Sequence, residues 1–334
     1  MCLRKSIKQI SFKFIIYNTL KIAAGSDWNW TNYEKSGFLG NTSIERQNIE
    51  NVTFLSNTNT VPETGWWDVS ARGDNSIKAW ATQTETQATK GVYTVYIASD
   101  DEIFANQDSR LLFSHMGYSE NCLATEAITN LNLLNVKSVT DMGEMFESFG
   151  ATAMTSFTLP ETFDTSNVTM MNAMFGGCGK TAMTSLTLPE AFDTSNVTKM
   201  DFMFSSTGQT AMTSLTLPEA FDTSNVTNME WMFYCCGYTA MTNLTLPDTF
   251  NTSNVTNMAY MFHSTGYNSM TSLDLSSGTD ASNTTQFNTS NVSSMSYMFR
   301  GCGMNNMATL NLGNNFDTTN VTNMEDMFNH CGAD

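Results

Sequence analysis

The side chains with chemistry to offer are seven cysteines, three histidines and a set of evenly spaced carboxylates. The cysteines are Cys2, Cys122, Cys178, Cys235, Cys236, Cys302 and Cys331. Four of them lie three residues after the phenylalanine of a recurring Met-Phe pair. That position reads Phe149, Cys178, Thr207, Cys236, Thr265, Cys302, Cys331 along the chain. A site that takes Phe, Cys or Thr in turn is a packing site, where a thiol acts as a small buried hydrophobe. Cys302 and Cys331 fall in adjacent copies, within reach of a disulfide, whereas Cys178 and Cys236 are two copies apart and too distant. No Cys-x-x-Cys occurs, and His115, His263 and His330 lack metal-ligand spacing, so no metal site is expected. No phosphate loop, nucleophile elbow or His-Glu metal motif appears either. The chain is expected to be no enzyme, with no catalytic residue and no cofactor.

Glu161/Asp164, Glu190/Asp193 and Glu219/Asp222 recur in register, with Asp248 and Asp317 beside them. Stacked copies would align these into an acidic stripe able to capture Ca²⁺ weakly. The alternative is that each Asp accepts hydrogen bonds from the turn amides that follow it. Asn251 replaces Asp in one copy, which suits the turn role. Asn-Val-Thr at Asn167, Asn196, Asn225, Asn254 and Asn320 matches the N-glycosylation pattern. Its strict period points instead to inward asparagines that form a hydrogen-bonded ladder.

These residues are positioned by a repeat. Met-Phe begins at Met145, Met174, Met203, Met232, Met261, Met298 and Met327, with spacings of 29 residues except one of 37. The longer interval reads as a polar loop over Ser276 to Gln286 that bulges from one copy. In the copy Met212 to Phe233, Leu215 and Leu217 flank polar Thr216, which predicts a short strand. Met229, Met232 and Phe233 have i, i+3, i+4 spacing, which predicts a short helix, and Thr227 with Glu230 has the form of a capping box. Gly237 would end that helix. No copy can bury its apolar face alone, so copies must stack.

The run Met-x-x-Leu-x-Leu followed by Phe-Asp-Thr-Ser-Asn-Val-Thr-Asn-Met-x-x-Met-Phe-x-x-Cys resembles the BspA-type leucine-rich repeat of bacterial surface proteins. The likeness covers about residues 128–334. Upstream, Trp67-Asp68-Val69-Ser70, Ser76-Ile77-Lys78-Ala79-Trp80, Tyr96-Ile97-Ala98-Ser99 and Leu111-Leu112-Phe113 resemble the module that precedes those repeats. Four copies here depart from the family by inserting a Pro-led triplet before the Phe, Pro-Glu-Ala in two of them. The expected fold is an α/β solenoid, a leucine-rich stack of seven units over residues 128–334. A small β-rich domain at 26–127, with strands at Ile49–Leu55, Ile77–Ala81 and Val92–Ile97, should cap it. Residues 1–25 read as a basic arm, with a half-buried strand around Ile10, Phe12 and Phe14 rather than a signal peptide.

Charge narrows the partners. Residues 26–334 carry 10 basic and 32 acidic side chains, so this body repels phosphate backbones and nucleic acid is not an expected partner. No run of about 18 apolar residues exists, so no membrane-spanning helix is expected. The 24 methionines follow the repeat and read as core rather than as a promiscuous surface.

Function is then expected on exposed, variable positions: Tyr234, Tyr238, Tyr260, Tyr267, Tyr297 and Arg300, on a Thr/Ser/Asn background suited to protein or glycan. The resemblance implies surface display and adhesion to host or cell-surface ligands. One alternative is a phage virion protein docked by its N-terminal arm, and another is an intracellular repeat scaffold. Leu312, Met324, Met327 and Phe328 keep the interior pattern in the last unit, which reads as an assembly end for a second copy or a virion partner. The expected location is extracellular, on a cell or a particle.

Overall fold

The computed structural model describes residues 18–21, 35–83, 91–276 and 287–332. The strand expected around Ile10, Phe12 and Phe14, most of the basic arm and residues 277–286 of the expected bulge lie outside them. The first strands are β1 (Asn18–Thr19), β2 (Ile49–Leu55), β3 (Trp66–Asp68), β4 (Lys78–Gln83), β5 (Tyr93–Ala98), β6 (Ile103–Phe104), β7 (Ile128–Thr129) and β8 (Leu134–Asn135). They form a five-stranded sheet in the order β3-β4-β5-β2-β7 and a three-stranded sheet in the order β1-β6-β8. Period-2 alternation drives them: Val52 and Phe54 of β2 and Val95 and Ile97 of β5 are fully buried. The described part of the arm is built into this core, since Asn18 and Thr19 pair with Ile103 and Phe104 and Leu20 is buried.

The repeats supply β9 (Ser156–Thr158), β10 (Ser185–Thr187), β11 (Ser214–Thr216), β12 (Asn243–Thr245), β13 (Ser272–Asp274) and β14 (Thr309–Asn311). They hydrogen-bond as separate parallel pairs, β9 with β10, β11 with β12 and β13 with β14. The first five each bury their central residue, as Leu186 and Leu215 do, between two exposed ones, and in β14 the central Leu310 is half-buried.

The expected α/β solenoid is not what forms. The chain is almost entirely sheet and turn in several small separate sheets, and the described residues contain no α-helix. Among the described residues, single 3₁₀ turns form at Arg46–Asn48 and Leu131–Leu133. The reason lies in where the N–H groups point. In the segment expected to be helical, Met232 N donates to Met229 O at 3.2 Å, an i to i−3 bond. Trp231 N and Phe233 N instead reach the next copy, to Ala259 O at 3.0 Å and Met261 O at 2.9 Å. The ladder an α-helix needs is therefore divided between a local turn and a neighbouring copy. Left-handed backbone at Trp231 (φ 62°), Cys235 (φ 52°) and Gly237 (φ 52°) breaks it again. The expected capping box is absent too, because Glu230 N donates to Asn228 Oδ1 at 3.1 Å while Thr227 Oγ1 faces Thr198 O in the preceding copy. Consecutive tight turns still place Met229, Met232 and Phe233 inward, all fully buried.

The copies register on one another residue by residue. Single-residue parallel bridges link Asp108, Asp141, Met170, Lys199, Asn228, Asn257, Ser294 and Asn323 in sequence. The Met-Phe phenylalanines stack as a buried column. Phe146 lies 5.7 Å from Phe175, and the contacts from Phe175 through Phe204 and Phe233 to Phe262 are 5.5–5.6 Å, within 6° of parallel. Phe113, upstream of the repeats, begins this column at 5.5 Å from Phe146. Two polar ladders pin the outer turns. Buried Thr165, Thr194 and Thr223 donate to the carbonyls of Asp193, Asp222 and Asn251 at 2.7–2.8 Å. Asn167, Asn196, Asn225 and Asn254 donate to carbonyls of the preceding copy at 2.7–2.9 Å. These asparagines are exposed rather than inward, since inward Thr and Val already fill the core on either side of them. No helix among the described residues is long and apolar enough to cross a membrane.

Candidate functional site

Immediately before the Met of each Met-Phe pair is a residue held in the left-handed region. Down the stack this position reads Glu144, Ala173, Phe202, Trp231, Tyr260, Tyr297, Asp326, with φ between 50° and 62°. Bulky residues seldom adopt this conformation. Here it is architectural, because Ala173 and Glu144 share it and the N–H at each position from Glu144 to Tyr297 bonds to the next copy, as Tyr260 N does to Ser296 O at 2.9 Å. The turn directs these side chains away from the Met-Phe core, and stacking brings them into line.

The result is a ladder of aromatic rings on one face. Phe202 stacks on Trp231 at 5.6 Å, Trp231 on Tyr260 at 3.9 Å and Tyr260 on Tyr297 at 4.7 Å, all within 9° of parallel. Tyr234 packs edge-on against Trp231 at 4.7 Å, and His263 packs against Tyr234 at 5.1 Å. A second stack, Tyr238 on Tyr267 at 4.6 Å, is built from another repeat position. Of the six residues expected to form a binding surface, Tyr238, Tyr260, Tyr267 and Tyr297 belong to these stacks, while Tyr234 packs edge-on beside Trp231 and Arg300 lies over Tyr297. Phe202 and Trp231 were not among the expected residues, although they share a column with Tyr260 and Tyr297. Reading that position across copies, rather than selecting tyrosines, is the signal that finds them.

Polar groups hold the ladder. Trp231 Nε1 donates to Glu230 Oε1 at 3.2 Å, and Asn257 Nδ2 holds the other oxygen of Glu230 at 3.1 Å. Tyr297 donates its hydroxyl to Glu325 at 2.7 Å, and this bond pushes its pKa up to about 12. The Arg300 guanidinium lies over the Tyr297 ring at 5.3 Å and pairs with Asp326 at 3.5 Å. Burial, with Arg300 nearby, holds His263 below its usual pKa, and its buried Nδ1 has no partner. Its ring also lies 5.6 Å from Tyr260 and so joins the aromatic face.

Beyond Phe202 the ladder stops, because the next position is Ala173. An open depression of ≈ 580 Å³ begins there, lined by Glu144, Glu147, Ala173, Lys180, Asp201 and Phe202 together with glycines and serines. Burial, with Glu144 beside it, pushes the Glu147 carboxyl up to about 7.

The other expected chemistry resolves into structure. Asp164, Asp193, Asp222 and Asp317 each accept from the amide two residues on at 2.8–3.0 Å, and Asn251 does the same at 2.9 Å. Cys122, Cys178, Cys235, Cys236, Cys302 and Cys331 are free thiols, so Cys302 and Cys331 are unbonded. Thr207 and Thr265 replace Cys in the column by donating to the carbonyls of Phe175 and Phe233 at 2.6 and 2.7 Å. His115 contacts Ser114 through Nδ1 at 2.7 Å, and His330 is exposed. Among the described residues no group of three or more His, Cys, Asp or Glu is placed to hold a metal ion. In the last unit Met324 and Phe328 are 48% and 46% exposed, Met327 is buried and Leu312 is half-buried.

A family model described as "Mycoplasma protein of unknown function, DUF285" matches the chain over residues 115–210, 151–270 and 208–333. No curated protein and no solved structure matches the chain.

Proposed function

From the premise that the chain belongs to this DUF285 family of unknown function, we propose that it is a non-enzymatic binding protein of the BspA type, displayed at a surface and attaching to a protein or glycan ligand through its aromatic face. The observation that carries this reading is the ladder Phe202–Trp231–Tyr260–Tyr297, with Tyr234 beside it. Four large rings aligned outside the Met-Phe core contribute little to that core, and large rigid aromatics supply contact area at low entropy cost. The hydroxyl-rich and amide-rich turns around them provide a polar rim. The net charge of the chain, −17, favours partners with cationic or neutral surfaces.

The test is retention of the full chain on immobilised matrix proteins and on a panel of neutral and cationic glycans, with Trp231→Ala and Tyr260→Ala as comparisons. Retention that falls at least tenfold in both variants, with unchanged melting, supports the reading. Retention equal to wild type, or no retention on any surface, contradicts it. Display is checked separately by protease treatment of intact cells, and cleavage of the chain only after lysis would contradict it.

A further inference from the structure

The two ends of the aromatic ladder differ. At the Tyr297 end the chain covers the last ring itself: the Arg300 guanidinium lies over Tyr297 at 5.3 Å and is held by Asp326 at 3.5 Å. At the Phe202 end no ring or cation among the described residues does so. Phe202 stacks on Trp231 with one face, and the column position on its other side is Ala173, whose methyl group leaves one layer of the ladder empty. Phe202 is 39% exposed, one of the few exposed large apolar residues, and it forms a wall of the ≈ 580 Å³ depression. Three carboxylates, Glu144, Glu147 and Asp201, line that depression against a single lysine, Lys180. Arg110, near Glu144, is already paired with Asp108 at 2.8 Å and Asp141 at 3.3 Å.

We infer that this notch is a subsite for a guanidinium group, filled by an arginine side chain of a partner protein that stacks on Phe202 and pairs with the carboxylates around it. The chemistry matches what the chain builds at the other end from Tyr297, Arg300 and Asp326. A guanidinium is planar, so it extends a stack of parallel rings by one layer, and its fork of N–H donors suits carboxylates. An ammonium has the charge but not the plane. An anionic ligand would meet three carboxylates. Gly176 and Gly177, which have no side chains, are among the residues that line the notch. The inference rests on the binding role proposed above and names the partner chemistry for one end of that face.

The test uses the full chain and two fluorescein-labelled peptides, Gly-Arg-Gly-Arg-Gly and its lysine twin, read by fluorescence anisotropy. The acidic body attracts both, so the informative quantity is the ratio of their affinities. Wild type is expected to bind the arginine peptide about fivefold more tightly than the lysine peptide, the scale of a partly exposed cation–π contact. Ala173→Phe fills the empty layer at a position where four other copies carry aromatics in the same backbone conformation, so it should fold and bring the ratio to about one. Phe202→Ala removes the ring face and should do the same. Equal binding of the two peptides by wild type overturns the inference, as does an unchanged ratio in both variants. Displacement of the arginine peptide by a neutral oligosaccharide also overturns it, by making the notch a sugar site. If the ratio is unaffected but Trp231→Ala still abolishes retention on the ligand panel, only this subsite fails. If neither responds, the aromatic face itself is not the binding surface.

Discussion

Trp231 and Tyr260 stack face to face with ring centroids 3.9 Å apart and planes 6° from parallel, although they lie 29 residues apart in the chain. This contact exists because each copy sits in register on the next, so one repeat position becomes one column. Buried columns hold the protein together, and a half-buried one outside the core gives it a face.

The buried column should dominate stability. Phe204 and Phe233 are fully buried and stack at 5.5 Å. Replacing either by Ala removes a ring from the middle of the column and should cost about 3–5 kcal/mol. Chemical denaturation checks this, and an unaltered unfolding midpoint would mean that the stack does not carry the fold.

Left-handed positions should divide into two classes. Gly237 (φ 52°) would place a Cβ 2.3 Å from Met241 Cβ, a clash that cannot relax without moving the turn. Gly237→Ala should therefore destabilise by at least about 2 kcal/mol. Gly177 (φ 68°) shares its column with Ser148, Ser206 and Ser264, all left-handed. Gly177→Ser should cost under about 1 kcal/mol. Equal melting temperatures for the two variants would contradict this division.

Much of this organisation is legible in the sequence, but its helical half is not. The Leu-x-Leu alternation marks β11 around Leu215, and the aspartates declare their turn role through Asn251. The helix expected at Met229, Met232 and Phe233 fails because a run of tight turns buries residues at the same i, i+3, i+4 spacing. Periodicity reports which side chains go inward, not which carbonyl each N–H finds. Left-handed Trp231 and Tyr260 have no signature in residue type, since glycine and asparagine are the usual markers. Phe202 and Trp231 become visible only when copies are aligned by column, and the notch at Ala173 only when the ladder is built.

Stability should depend on pH through Glu147. Its carboxyl is pushed from 4.5 up to about 7, first by burial and then by Glu144, with the Ser114 hydroxyl opposing. A raised carboxyl favours the protonated form in the folded state. Its penalty is absent below about pH 4.5, grows between pH 4.5 and 7 as only the unfolded chain ionises, and is constant above. Glu147→Gln should therefore gain on wild type across that window, by about 2–3 kcal/mol at pH 8. Melting curves at pH 4.5, 6 and 8 check this, and a difference that stays constant with pH would show that Glu147 ionises normally.

The central claim is that the aromatic face is where the ligand sits. Its most direct measurement is hydroxyl-radical footprinting of the full chain, free and with a captured ligand bound. Trp231, Tyr234, Tyr260 and Tyr297 should lose reactivity together on binding, while Tyr93 and Tyr96 of β5 stay unchanged. Protection that falls on β5 or on the strand face around β11, with the ladder as reactive as before, would contradict the account.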